Sequence, residues 1–270
     1  MFPSHVGGMV FVEQDYMDQD QNWSGTTSAP AGDNSDKRIR TRFWTLGGEY
    51  TFNREWSASV EVPYWGRRFV TTTGADSIAA FDHGALGDVR LKGIYTGLAA
   101  DLSTGITFGV KLPTGDARYA NFDPDTEIGT GSTDLLLGAY HIGHLTADDR
   151  WSWYANAQWQ QPLASRSSYR PGAELDAVTG IYYGGWRLGN SVRLVPLVQV
   201  AGTYRRHDGG TLGHPEDSGY TRAYIAPGVE LDVGGRARLY LDVSRAAYSN
   251  MSGNQLVART LFKANVSVGF

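Results

Sequence analysis

The stretch that decides the fold is LVARTLFKANVSVGF, which runs from Leu256 to Phe270. Counted in twos, it places a mostly polar set of side chains on one side and an apolar set on the other, namely Phe262, Ala264, Val266, Val268 and Phe270. Successive side chains of a β-strand point to opposite faces, so this alternation predicts a strand with one apolar face. Its length, about ten residues, is what a tilted strand needs to cross a bilayer.

Two environments fit a strand of this kind. A final aromatic residue on an alternating strand resembles the closing strand of bacterial outer-membrane β-barrels, where the pattern acts as an assembly signal. On that resemblance, the barrel assembly machinery would recognise the strand that ends at Phe270. The alternative is an edge strand of a soluble β-sandwich, but there the chain usually continues or ends in a polar tail.

Composition narrows the class of protein further. No apolar run reaches the roughly 18 residues of a transmembrane helix. Cysteine is absent, which excludes disulfides, zinc–thiolate sites and thiol catalysis. The net charge of -4 argues against a nucleic-acid surface. The 34 glycines, 15 tyrosines and 8 tryptophans suit short twisted strands with aromatic girdles.

Strand-like runs recur along the whole chain, and the connectors between them alternate between long and short. Each odd-to-even connector is a loop of roughly seven to twenty residues, and each even-to-odd connector has roughly two to five, which is the asymmetry of outer-membrane barrels. A soluble sandwich has no reason to sort connectors in this way. The twelve predicted runs are 6–17, 38–52, 56–69, 85–98, 102–113, 130–145, 151–163, 173–188, 191–205, 219–233, 236–248 and 256–270.

The expected fold is therefore all-β: a transmembrane antiparallel β-barrel of twelve strands, with short periplasmic turns and longer extracellular loops. No domain boundary or low-complexity linker is visible, so residues 1–270 are expected to form a single domain with both termini periplasmic. Four Gly-x-Tyr triplets near the ends of even-numbered runs predict a ring of tyrosines at the lower headgroup level. These tyrosines are Tyr50, Tyr95, Tyr140 and Tyr182.

The faces opposite the apolar ones line the interior of the predicted barrel. Their charges have both signs and must be paired or hydrated, because a buried unpaired charge is costly. They line either a polar passage that selects a permeant solute or a salt-bridge lattice that fills a narrow barrel. The candidate permeation residues are Glu49, Glu61, Asp88, Arg90, Lys92, Lys111, Arg193, Arg222, Glu230, Arg238, Asp242 and Lys263.

One acidic loop is a weak candidate for a metal site. Asp123, Asp125 and Glu127 stand at alternate positions, and carboxylate oxygens at such a spacing can bind calcium. The spacing departs from that of an EF-hand, and acidic external loops are usually only solvated, so no cofactor or metal is expected.

Catalysis is not expected either, because a nucleophile, a base and an orienting group must meet within hydrogen-bond reach. Ser132 and Asp134, for example, lie at the opposite end of the sixth run from His141 and His144.

Three glycine-rich segments carry a family resemblance. Gly84-Ala-Leu-Gly-Asp88 opens a strand, Lys111-Leu-Pro-Thr-Gly-Asp116 closes one, and Gly129-Thr-Gly-Ser-Thr-Asp134 opens the next. In this order and spacing they resemble the outer-membrane barrel family labelled "MetA-pathway of phenol degradation", over most of the chain from about Val6 to Phe270. The resemblance implies a transporter or channel-like protein. The family label describes a context and not an activity, so an aromatic substrate is an analogy.

The expected function is passive or facilitated passage of a small solute, with aromatic or other hydrophobic compounds as candidates, and loops 18–37 and 114–129 are expected to gate the outer mouth. The alternative is a structural or partner-binding barrel with a plugged lumen, which displays loops or anchors another envelope or extracellular component. The expected partners are outer-membrane lipid, lipopolysaccharide, the assembly machinery and a small solute. The sequence leaves the oligomeric state open.

Overall fold

A computed structural model describes residues 6–74, 77–166 and 168–270. Across these residues the chain forms antiparallel strands, with two short 3-10 helices at Ala31–Asp33 and Pro215–Asp217. No helix in the described part of the chain has the length and apolar character needed to cross a membrane. The strands in chain order are β1 (Gly7–Gln19), β2 (Gln21–Gly25), β3 (Thr27–Ser28), β4 (Asp36–Thr51), β5 (Trp56–Thr73), β6 (Ser77–Leu86), β7 (Arg90–Tyr95), β8 (Thr104–Lys111), β9 (Thr133–His144), β10 (Trp151–Ala164), β11 (Glu174–Tyr183), β12 (Trp186–Leu188), β13 (Val192–Arg205), β14 (Tyr220–Val233), β15 (Ala237–Val257) and β16 (Thr260–Gly269).

The strands close into a barrel through hydrogen-bonded pairs. From β1 the ring passes through β4, β5, β7, β8, β9, β10, β11, β13, β14, β15 and β16. It closes where β16 pairs with β1, with Val268 opposite Val10 and Val266 opposite Val12. Closure leaves no sheet edge along the wall, so the backbone groups of the wall are paired within it.

The closed antiparallel barrel is confirmed, whereas the predicted count of twelve full-length strands is not. The predicted run 85–98 is split, because β6 pairs with residues 64–73 of β5, whereas β7 pairs with residues 56–61 of the same strand. The short strands β2, β3 and β12 lie off the ring. At the break, the Gly87 N–H donates to the Pro63 carbonyl, and Asp88 accepts hydrogen bonds from residues of a distant loop.

Two segments predicted as loops are strands instead. The predicted loop 70–84 is a hairpin of β5 and β6, in which Phe69 lies opposite Phe81; residues 75 and 76 lie outside the described part of the chain. The predicted loop 249–255 belongs to β15, which continues to Val257. Polar side chains do not prevent strand pairing, since pairing satisfies the backbone N–H and C=O groups wherever a partner strand is present.

The outer face of the barrel carries its large exposed apolar side chains. On β16, Phe262, Val266 and Val268 are 47%, 51% and 45% exposed, which confirms the alternation predicted for this strand. Trp44 and Leu46 on β4 are 48% and 59% exposed. A contiguous apolar belt of this extent is rare on soluble monomers and is the normal outer surface of a membrane barrel.

The predicted ring of tyrosines is wrong for two of its four members. Tyr50 is 46% exposed on the outer face, and Tyr95 packs against Trp56 at a ring distance of 4.8 Å. Tyr140, by contrast, is 5% exposed, and Tyr182 packs against an inward side chain, Tyr154. A shift of one residue in strand phase moves a side chain to the other face, and this explains both errors. The outer aromatic belt at this end also includes Phe52, Trp151, Tyr183 and Trp186.

Candidate functional site

About half of the predicted permeation residues alternate with exposed apolar residues and so face the interior. Lys92 follows Leu91, which is 42% exposed, and Asp242 follows Leu241, which is also 42% exposed. Asp88 is the exception in its position, because it lies in the break between β6 and β7 and is 7% exposed. A role of these residues in permeation stays a prediction.

Several of these inner charges are neutralised by neighbours on the wall. Lys92 Nζ lies 2.5 Å from Glu61 Oε1 on the next strand. Lys263 Nζ lies 2.9 Å from a carboxylate oxygen of Glu13 and 3.2 Å from one of Asp15. Further inner contacts join Arg193 to Asp232, Asp242 to Tyr240 and Gln199, and Arg222 to the ring of Tyr220. The expectation that inner charges are paired is met for the Lys92, Lys263 and Arg193 ion pairs, whereas the Asp242 and Arg222 contacts are to neutral groups.

A compact ionic cluster lies where loop 112–132 leaves and rejoins the wall, and we call it the clamp (Asp88, Lys111, Thr130, Ser132 and Asp134). Lys111 Nζ lies 2.8 Å from Asp134 Oδ2 and 3.4 Å from Asp88 Oδ2. Lys111 also donates to Thr130 Oγ1 at 2.5 Å. Solvent reaches 3% of the Lys111 side chain and none of the Asp134 side chain. Good geometry at this depth is needed to offset the desolvation of the charges.

The clamp also holds the backbone of loop 112–132. Asp88 accepts hydrogen bonds of 2.9 Å from the backbone N–H groups of Gly115 and Thr130, close to the two ends of the loop. The two ends touch, since a Cβ atom built on Gly129 would lie 2.4 Å from the carbonyl carbon of Gly115. A side chain at Gly129 would therefore collide with backbone, and only glycine fits there.

The middle of loop 112–132 turns into the barrel, where two arginines hold it. Arg67 donates to the carbonyls of Thr126 and Glu127, and its Nε donates to Thr41 on the wall at 3.0 Å. Arg166, from the loop after β10, lies 2.8 Å from the Glu127 carboxylate. Burial raises the pKa of Glu127, and Arg166 opposes that shift. The loop is thus held both by strand β5 and by the loop that follows β10.

Aromatic stacking completes the docking of the loop. The Tyr119 ring stacks on His83 at 3.7 Å, and Phe122 packs against Phe69 at 5.4 Å. The Ile128 N–H donates to the Tyr119 hydroxyl at 2.8 Å. Burial raises the pKa of Tyr119 to about 12, so the phenol is neutral at physiological pH.

The candidate metal trio does not converge. The Glu127 carboxylate is engaged by Arg166, and Asp123 and Asp125 do not join it in a cluster. Across residues 6–74, 77–166 and 168–270, no group of three His, Cys, Asp or Glu residues is arranged to hold a metal ion.

The other predicted gating loop lies elsewhere. Part of loop 18–37, strand β2, pairs with the outer end of β15, and Asn22 donates to Asn254 at 3.0 Å. Its gating role stays a prediction.

A second buried cluster, which the sequence did not suggest, joins the loops at 165–173 and 206–219. The Asp208 carboxylate accepts hydrogen bonds from the Tyr169 hydroxyl at 2.9 Å and from the Gly172 N–H at 2.7 Å. Arg205, at the end of β13, lies 2.8 Å from the same carboxylate. Tyr169 and Asp208 are almost completely buried, so this contact is shielded from solvent.

Between the wall and the docked loop lies an internal cavity of about 660 Å³. One side is apolar and aromatic, and includes Phe43 and Trp65, which pack edge to face at 4.7 Å. Among the ion pairs formed by the described residues, none includes Arg90, although it lines the same cavity. The remaining lining includes Met9, Phe11, Glu13, Asp15, Thr45, Glu61, Pro63, Asp88, Lys111, Ile128, Thr130, Gln160, Glu174, Arg205, Lys263 and Asn265.

Solved structures share this architecture. An outer membrane channel from Pseudomonas putida F1 superposes with a TM-score of 0.74 at 13% identity, over 100% of this chain and 97% of that one. This chain has the fold of an outer-membrane β-barrel. The β domain of the Bordetella autotransporter BrkA superposes with a TM-score of 0.57 at 11% identity, over 98% of this chain and 100% of that one. The resemblance to a transporter-like outer-membrane barrel family is thereby confirmed in its fold.

Comparisons of sequence add no relative. No family model matches this chain, and no curated protein matches it. The likeness therefore concerns the path of the backbone, and the roles of individual residues depend on the contacts described above.

Sequence reasoning identified part of the clamp and missed the rest. Lys111 and Asp88 were predicted as inner residues, whereas Asp134 and the loop-holding Arg67 and Arg166 were not selected. A signal was present in the three glycine-rich segments, because each of them contributes one charged end residue to the clamp.

Proposed function

We propose that the chain is an integral outer-membrane barrel of twelve crossings that lets small solutes pass through its lumen. In this proposal the tight connectors, such as 52–55 and 234–236, face the periplasm and the longer ones face outward. The observation that carries it is the 660 Å³ cavity, which lies inside a closed wall and is lined by charged and aromatic side chains. A cavity of this size and mixed lining suits a small organic molecule.

The lining supports aromatic or otherwise hydrophobic solutes in particular. Phe11, Phe43 and Trp65 supply an aromatic surface on one wall, and aromatic rings bind other rings in offset or edge-to-face arrangements. Arg90 and the paired charges of the lining supply polar groups. The proposed permeation residues Glu61, Lys92 and Lys263 then shape the field along the path.

The docked loop favours a second candidate, a barrel whose lumen is plugged and whose outer loops display a binding surface. Loop 112–132 is held by the clamp, by Arg67 and by Arg166, and its Ile128 side chain is 1% exposed. If these contacts persist, the barrel anchors or displays other components and does not conduct.

Conductance in planar bilayers, combined with uptake of a neutral aromatic solute into liposomes, tests the proposal. The channel function predicts discrete current steps and solute uptake by the full chain. A folded barrel that inserts into bilayers but shows neither activity would contradict the channel and favour the plugged scaffold. Folding is verified separately by heat-dependent gel mobility, so that a misfolded sample is not counted as a closed channel.

A further inference from the structure

A cluster of arginines lies on the outer surface of the wall, at the end where the long loops lie. Outward positions of β4 are occupied by Trp44 and Leu46 and then, towards that end, by Arg42, Arg40 and Arg38. Trp44 lies directly opposite Tyr64 on β5, and both are about half exposed. Aromatic residues of this kind mark the headgroup level of a membrane barrel. Arg42 lies two residues beyond Trp44, which is about 7 Å along a strand.

Strand register concentrates positive charge at this level. Arg40 on β4 lies directly opposite Arg68 on β5, and like charges in direct opposition destabilise a sheet. Each of the two has one acidic neighbour on its far side, because Arg40 Nε lies 3.3 Å from Asp18 and Arg68 lies 2.6 Å from Asp82. Asp18 is shared with Arg38. Across the four neighbouring strands the row is therefore Asp18, Arg40, Arg68 and Asp82, with the two arginines in the middle.

The adjacent row of the sheet contains glycines, which leave space beside these arginines. Arg42 lies opposite Gly66 on β5, and Gly66 lies opposite Gly84 on β6. A Cβ atom built on Gly66 would meet nothing within 4 Å, so the surface is open at Gly66, whereas the Tyr64 hydroxyl would lie 2.9 Å from a Cβ atom on Gly84. Within the described residues, Arg42 takes part in no ion pair. A depression here has a volume of about 400 Å³, and its lining includes Tyr16, Arg40, Arg42, Gly66, Arg68 and Asp82.

We propose that this depression binds a phosphate group of an outer-leaflet glycolipid. Guanidinium groups bind phosphate through paired N–H donors, and Arg40, Arg42 and Arg68 all line this depression. Asp82 also lines it, and Asp18 lies beside Arg40. A bound phosphate places negative charge between Arg40 and Arg68 and supplies Arg42 with a partner. The inference rests on the proposed membrane location, since only a barrel in a bilayer holds lipid phosphates at this height.

The test uses the full chain, refolded in detergent, with two lipid probes. One is a bisphosphorylated lipid A, and the other is the same glycolipid without its phosphates; native mass spectrometry measures how much of each is bound. The wild-type chain should retain the phosphorylated lipid and bind the phosphate-free one at least about tenfold more weakly, since charge-assisted hydrogen bonds of this kind exceed 1.4 kcal/mol together. Equal binding of the two lipids would overturn the proposal.

Two variants separate the site from general attraction to positive charge. The triple variant Arg40→Gln, Arg42→Gln and Arg68→Gln should bind the phosphorylated lipid about tenfold more weakly. Gly66→Leu keeps every arginine but fills the depression, and it should weaken binding as well. The matched control removes the same charge at the other rim, through Arg150→Gln, Arg187→Gln and Arg236→Gln, and should bind like the wild type.

Each remaining outcome has one meaning. If the triple variant and its control bind equally, the site assignment is wrong. If inorganic phosphate at the same concentration displaces the lipid completely, the site takes free phosphate and the lipid assignment is wrong. A wild-type chain that fails to insert into bilayers contradicts the proposed function itself. A wild-type chain that conducts, combined with a triple variant that binds the phosphorylated lipid as well as the wild type does, contradicts only this inference.

Discussion

Lys111 Nζ lies 2.8 Å from Asp134 Oδ2, and the two residues stand at either end of loop 112–132. This single ion pair joins the end of β8 to the start of β9, where the loop leaves and rejoins the wall. Asp88 adds a second carboxylate and two backbone hydrogen bonds. The position of the loop inside the barrel therefore depends on a buried electrostatic contact.

Replacing Lys111 by methionine should destabilise the folded barrel by about 3–5 kcal/mol, because it leaves the buried carboxylate of Asp134 without its partner. Urea unfolding followed by tryptophan fluorescence in lipid vesicles measures the change. The double replacement Lys111→Met and Asp134→Leu should recover part of the loss, since neither charge is then buried. A loss below 1 kcal/mol in the single variant would show that water reaches the pair.

Replacing Arg67 by methionine should increase the single-channel conductance, because Arg67 holds the Thr126 and Glu127 carbonyls of the docked loop. Arg187→Met removes the same charge from an exposed position at the opposite rim and serves as the control. Unchanged current steps in a folded Arg67 variant would mean that the loop does not limit the passage.

Reversing the charge of Arg90 should move ion selectivity towards cations, because Arg90 lines the cavity and has no ion-pair partner among the described residues. The reversal potential in a salt gradient measures this shift for Arg90→Glu and for Arg187→Glu as the exposed control. Lys92→Glu should act in the same direction and also place a like charge beside Glu61. Identical reversal potentials in all variants would remove β7 from the permeation path.

Conductance should depend on pH through Asp36, which begins β4 at its outer end, well before the exposed apolar residues of that strand. Burial and the nearby Asp123 and Asp125 of the docked loop raise the pKa of Asp36 to about 6. The folded-state pKa is higher than the unfolded one, so the protonated form favours docking. The stabilisation of the docked loop by protonated Asp36 is complete below about pH 4 and is lost as the pH rises through about 6.

Recordings between pH 4 and pH 8 should therefore show smaller currents on the acid side, because the loop is held more firmly there. Asp36→Asn removes the titrating group and should flatten the change near pH 6. If the Asp36→Asn variant kept the full pH dependence, the titrating group would be another carboxyl group.

Leu46→Arg should destabilise the barrel in lipid by about 2–4 kcal/mol, because it places a charge on the face that we propose meets hydrocarbon. Its neighbour Thr45 lines the internal cavity, so Thr45→Arg is the matched control and should cost much less. Unfolding in lipid vesicles compares the two. If Leu46→Arg were harmless and improved solubility without detergent, the outer face would be in contact with water.

The sequence alone determined the closed barrel and the direction of most side chains. The alternation from Phe262 to Phe270 is a local property, because a strand sends successive side chains to opposite faces whatever lies beside it. For this reason the inner positions of Lys92, Asp242 and Lys263 could be predicted from the apolar residues that precede or follow them in the sequence. Those apolar neighbours are exposed on the outer face in the structure.

Tertiary structure decided the rest, because it depends on contacts between residues far apart in the chain. The clamp needs Asp88, Lys111 and Asp134 to meet, and no local period reports that meeting. The arginine site likewise requires the register that sets Arg40 against Arg68. The inward Tyr140 and the hairpin of β5 and β6 were missed for the same reason. Alternation along a strand is local, but strand pairing decides which alternating set faces the interior and where a strand ends.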